Sequence, residues 1–177
     1  MFGIKKKTKK KLTTEDPVYS GREFLGLWSY VLTHGSNIDQ FFCGIDIPKE
    51  RILDENEWFD IHTTFKLWKN YRSCLQDFDM TETFYITFES AKKSSYGIAK
   101  LVAQFSSIKN IFKLAPYLAS TVSKIDLFKI LELDATSAII KYNPYPGFEE
   151  FIDSSHYFSF LGVFAAIPTT HDMAPAK

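Results

Sequence analysis

The stretch "HYFSFLGVFAAIP", His156 to Pro168, constrains this chain more than any other. It is apolar enough to avoid water, yet shorter than the roughly 18 to 20 apolar residues a membrane-spanning helix needs. Read at helical period, Tyr157, Phe160, Leu161 and Phe164 line one face, while Phe158 and Val163 make the other face apolar as well. Such a helix is expected to be buried on both faces. The rest of the chain must supply the layers that enclose it, and 177 residues with 45% hydrophobic content suffice for one such core.

The preceding segments supply candidate layers. In "SGREFLGLWSYVLTHG", Ser20 and Glu23 have capping-box spacing, Phe24, Leu27, Trp28 and Val31 share a face, and Gly35 stands as a stop, which predicts a first helix. "GIDIPKERILDENEW" is turn-rich, with Pro48 placed to open a short helical turn. Asp54 and Glu57 form a second cap-like pair ahead of Trp58, Ile61, Phe65 and Trp68, predicting a helix that ends near Cys74 or Leu75. "TFYITF" alternates, with Phe84, Ile86 and Phe88 on one side, and reads as a half-buried strand. Ser94 or Ser95 caps a third helix carrying Ile98, Leu101, Val102 and Phe105. Ser107 caps a fourth, with Ile111 and Phe112 on its apolar face and Pro116 to bend it. "DLFKILEL" and "AIIKYNPY", separated by "DATS", read as a β-hairpin. The predicted fold class is α+β: helices packed on a small antiparallel β-sheet in a single domain.

Charge divides the chain unevenly. Lys5, Lys6, Lys7, Lys9, Lys10 and Lys11 crowd the first eleven residues, and setting them aside leaves 15 basic residues against 21 acidic ones, a formal charge of −6. Residues 1–16 are therefore expected to form a disordered Lys-rich tail, and residues 17–177 the domain. A body of that sign is a poor partner for nucleic acid, which needs a basic face. Phe2 stands where myristoylation needs glycine, and "MFGIKKK" has no apolar stretch of a secretory signal. Cys43 and Cys74 make neither a metal spacing nor a disulfide framework, which fits a reducing cytoplasm.

Motifs with chemistry attached are missing: no phosphate-cradling G-x-x-x-x-G-K-[ST] or G-x-G-x-x-G, no G-x-S-x-G elbow, no nucleophilic cysteine signature. No enzyme activity and no cofactor are expected. In "GFEEFIDSSH", Glu149, Asp153 and His156 fall at i, i+4 and i+7, a spacing that suits a divalent metal on one helix face and equally suits the acidic start of a helix. His34, His62, His156 and His171 come without a complete haem-ligand set. Trp58, Trp68, Tyr71, Phe112, Tyr117, Phe160 and Phe164 are the candidates to wall an apolar pocket, the alternative for each being plain core filling.

The order of segments is similar to that of a bacterial sensory input domain. "GIDIPKERILDENEW", "SYGIAKLVAQFSSIKNIFKLAPYLAS" and "KILELDATSAIIKY" resemble the ligand-binding regions of AraC-type regulators. "YFSFLGVFAAIP" resembles the apolar helix of 4-vinyl-reductase-like domains, which belong with the haem-NO-binding sensor folds. The Tyr-x-Ser-x-Arg signature of the haem-NO-binding proteins is missing, so no haem ligand is carried over, and the hairpin that usually follows the helix in 4-vinyl-reductase-like domains has no counterpart before "HDMAPAK". The resemblance implies a non-catalytic signal-transduction domain, truncated at its C-terminus. It would bind a small apolar ligand and control an attached output domain (cyclase, kinase or DNA-binding) in a longer parent protein, with a homodimer as a further partner. The rival expectation is a dimerisation or protein-interaction module with a packed core and no ligand.

Overall fold

Ser20 leaves a two-residue strand and caps a helix in the same step. Its hydroxyl accepts a hydrogen bond from the Arg22 N–H and donates one to the Glu55 carbonyl, fixing the start of α1 (Gly21–His34) against the turn at residues 52–57. Gly21 is required there, because a Cβ would stand 2.1 Å from the Asp54 carbonyl oxygen. The computed structural model describes residues 11–75, 81, 83–87, 107–134 and 137–166.

Strand β1 (Tyr19–Ser20) pairs antiparallel with β2 (Trp58–Phe59) and bridges Ser123 on its other side. Helix α2 (Lys49–Ile52) follows a 3-10 turn at Ile38–Phe42. Helix α3 (Ile61–Ser73) is capped by Asp60, whose carboxylate accepts the Thr63 N–H at 2.8 Å. Asn70, buried on α3, donates to the Phe41 and Cys43 carbonyls and fastens the 3-10 turn to the helix. Helix α4 (Ile108–Ala119) carries Pro116 within it, and the hairpin β3 (Asp126–Leu133) and β4 (Ala138–Pro144) follows. A second 3-10 turn, Glu149–Phe151, leads into α5 (Ser154–Ala166). The fold is α+β, with helices packed on small antiparallel sheets.

Two apolar clusters hold it together. One gathers Phe24, Leu27 and Val31 of α1 with Phe41, Ile52, Leu67, Trp68 and Tyr71. The other gathers Val18, Tyr19, Ile61, Ile125 and Phe148 where the chain's distant segments meet. Among the described residues no helix is long and apolar enough to cross a membrane.

Several sequence expectations shift. Trp58 does not open the second helix; it lies in β2, and α3 starts three residues later because Asp60 is the residue whose side chain reaches the free N–H groups. The predicted strand at "TFYITF" is helical over residues 83–87, with the Thr87 hydroxyl donating to the Thr83 carbonyl. Two-residue alternation over so few positions fits a helical turn equally well. Phe88 and the third helix, Ser94 to Phe105, lie outside the described residues. Of the Lys-rich tail, residues 1–10 also lie outside them, while Leu12 packs against the second cluster and the Thr13 N–H bonds to Asp16.

The largest correction concerns α5. It is not buried on both faces: Tyr157, Leu161 and Val163 are 48%, 55% and 42% exposed. Its inward positions are His156, Ser159, Gly162, Ala165 and Ala166, a stripe of mostly small residues. Small side chains let the helix axis sit close to its neighbours, and the large ones are displaced to the flanks and outward.

Candidate functional site: a buried polar junction beneath an exposed hairpin face

Asp126, the first residue of β3, is 4% exposed and carries a carboxylate into the interior. Two phenols meet it: the Tyr19 hydroxyl donates to Oδ2 at 2.6 Å and the Tyr142 hydroxyl to Oδ1 at 2.8 Å. The Ser123 hydroxyl oxygen accepts the Ile125 and Asp126 N–H groups and fixes the turn that aims the carboxylate inward. Burial and the neighbouring anion push the Tyr19 and Tyr142 hydroxyls well above the ordinary tyrosine range, so both remain donors.

Glu23, in the first turn of α1, feels the same carboxylate. Burial first, and Asp126 second, push its pKa from 4.5 up to about 7, with His156 pulling in the opposite direction. His156 of α5 is 4% exposed, its ring 6.4 Å from that of Tyr19 and 5.5 Å from that of Trp68. Its Nδ1 faces the Asp153 carboxylate at 3.4 Å, and Arg72 of α3 pairs with the other oxygen of Asp153. Neither His156 Nε2 nor Trp68 Nε1 has a hydrogen-bond partner among the described residues. Groups from β1, α1, α3, β3, β4 and α5 thus converge on one interior junction. It can hold a proton near neutral pH, and changing that proton changes the charge between packed elements.

The cluster read from sequence is only partly assembled. Asp153 and His156 meet, but Glu149 is exposed and its carboxylate accepts the Gly147 N–H at 2.8 Å, closing the turn in which Gly147 adopts a φ of +95°. No group of three or more His, Cys, Asp or Glu side chains positioned for a metal occurs among the described residues.

The seven aromatic candidates do not line one pocket. Trp68 and Tyr71 are 2% and 0% exposed in the α1–α3 core. Trp58, in β2, is half-buried beneath the Lys124 ammonium, which sits 4.2 Å from its ring centre. Phe112 is half-buried on α4, and Tyr117 on the same helix is 70% exposed. Phe160 and Phe164 do share a face, and that face meets Phe128 of the hairpin, with ring centres 4.8 and 5.4 Å away. Two clefts of about 370 and 560 Å³ open to solvent beside Gly44, His62 and Lys66, and neither is lined by any of the seven.

Sequence reasoning missed Tyr19, Glu23, Asp126 and Tyr142 as a group. They are spread over more than a hundred residues, and only a lone Asp at the head of an apolar strand and an acidic first turn hinted at them.

The hairpin's outer face is the other unusual feature. Alternation sends Phe128, Ile130, Ile140 and Tyr142 toward α5, and Leu127, Lys129, Ile139 and Lys141 away from it. A bulge between Ile130 and Glu132 adds one residue, so Leu131 and Glu132 both join the outer face and Leu133 returns to the half-buried side. Leu127, Leu131 and Ile139 are 43%, 52% and 48% exposed. No family model matches the chain, and neither a curated protein nor a solved structure matches it.

Proposed function

We propose that the chain is a non-catalytic interaction module that docks a partner through the outer face of the β3–β4 hairpin. One observation carries the reading. The aromatic side chains suited to wall a ligand pocket fill the core or are scattered, while three large aliphatic residues stand half-exposed together on one sheet face. Isolated exposed aliphatics are ordinary, but several on one sheet face are what a docking surface presents. The buried Asp126 carboxylate and His156 imidazole line neither cleft. Cys43 and Cys74 are both free thiols, in keeping with a reducing cytoplasm.

A second reading, the bacterial sensor domain with a small apolar ligand and an attached output, has one feature in its favour. The junction places Glu23, whose carboxyl pKa is pushed up to about 7, under the influence of Asp126 and His156 from other elements, and a charge that changes there is what a two-state relay between an input and an output requires. Native mass spectrometry of the purified chain separates the two. The bare polypeptide mass, in whatever subunit number, is the expected result; a retained small molecule displaces the module in favour of the sensor.

A further inference from the structure

Lys129 and Lys141 are direct cross-strand partners on the outer face of the hairpin. Facing side chains in such a pair lie about 5 Å apart at Cβ, and like charges there destabilise the sheet. Neither lysine forms an ion pair among the described residues. The acidic residue of β3 on this face, Glu132, lies opposite Ile139 at the far end, beyond the bulge. Two ammonium groups without an ion-pair partner among the described residues therefore sit in the middle of the face, with Leu127 and Asn143 on one side and Leu131, Glu132 and Ile139 on the other.

We infer that this face receives an acidic segment of another protein. A carboxylate of that segment bridges Lys129 and Lys141, and apolar residues flanking it cover Leu127, Leu131 and Ile139. The charge pattern selects this occupant over others. A second copy laid on the same face would bring four lysines together. Nucleic acid and anionic lipid both need a wider basic field than two lysines on a body of net negative charge. Glu132 adds a direction: it repels an acid placed at the turn end of the hairpin, so the partner's carboxylate belongs over the lysine pair and an apolar or basic residue over Glu132.

The inference rests on the interaction-module reading, and the two fail differently. A retained small molecule ends that reading, whereas the experiment below speaks to the partner's chemistry. A phage-displayed library of random dodecapeptides is selected on the full chain, and enriched peptides are measured by fluorescence anisotropy. The expected winners carry Asp or Glu between Leu, Ile, Val or Phe. Their binding should weaken by about tenfold in the Lys129→Gln/Lys141→Gln variant, and added salt should weaken it too. The Lys129→Glu/Lys141→Glu variant, with an unchanged circular dichroism spectrum, should select basic peptides instead. Enrichment of neutral or basic peptides on the wild type, no enrichment at all, or binding untouched by either variant overturns the inference. So does concentration-dependent self-association abolished by the glutamine variant, or binding to phosphatidylserine vesicles without peptide selection.

Discussion

Trp68 and Tyr71 on α3 are 2% and 0% exposed, whereas Phe160 and Phe164 on α5, the more apolar helix, remain half-buried against Phe128. The difference follows from what surrounds each helix. Helix α3 has α1 on one side and the Ile38–Phe42 turn on another, so its aromatics are closed in from several directions. The described contacts of the α5 aromatics run to the hairpin, and its outward positions, Tyr157 and Leu161, face solvent. Burial is set by the number of layers around an element, and hydrophobic content alone overstates it.

Substitutions can break or sharpen this contrast. Trp68→Ala should cost about 3 to 5 kcal/mol in chemical denaturation, as large-to-small changes in a closed core do. A loss under about 1 kcal/mol would show that the α3 core is looser than its burial implies. Asp126→Asn, at the seam between the two regions, should cost about 2 to 3 kcal/mol, because two buried phenols lose a charged acceptor. Phe164→Ala on the half-buried side should cost about 2 kcal/mol, below the closed-core range, and a loss equal to that of Trp68→Ala would erase the distinction between the regions.

The seam also predicts a pH effect. Folding raises the Glu23 pKa from 4.5 to about 7, so the folded chain holds a proton there that the unfolded chain has already released. The Glu23 contribution to stability is full below about pH 4.5, declines as pH rises toward 7, and is flat above it. Urea midpoints measured across this window should lose that decline in Glu23→Gln. In Asp126→Asn the decline should move to lower pH, since the anion that helps raise Glu23 is gone. The smallest effect belongs to Leu131→Ser on the outer hairpin face, within about 0.5 kcal/mol of wild type, because that side chain already meets water.

Local signals carried much of the fold. Ser20 and the Phe24, Leu27, Val31 stripe placed α1 nearly to the residue, and "DLFKILEL" with "AIIKYNPY" placed the hairpin, because capping and alternation are properties of neighbouring residues. Strands β1 and β2 were invisible: two residues carry no period, and their pairing exists only through tertiary contact. The bulge at Leu131 was invisible for a related reason, since an extra residue is defined by the partner strand. On α5 every large residue was taken as inward, and the spacing of His156, Ser159 and Gly162, which marked the true inner stripe, was passed over because small and polar residues attract no hydrophobic count. The seven aromatics named a composition and not a place. The junction of Tyr19, Glu23, Asp126 and Tyr142 required the whole topology before its members became neighbours.

Strand β1 has a consequence for how the chain is made. Val18 donates to the Phe59 carbonyl, Ser20 donates to that of Val122, and Lys124 donates back to Val18, so three stretches of chain are joined at one short segment. On the ribosome residues 18–20 emerge first, yet half of their partners emerge about a hundred residues later, on the order of 5 to 20 s at ordinary translation rates. Docking of β1 against those partners therefore waits for chain made long after it. Until then one side of β1 lacks its Val122 and Lys124 partners, although Phe41, Ile52, Leu67, Trp68 and Tyr71, which cover the α1 stripe, have already been made.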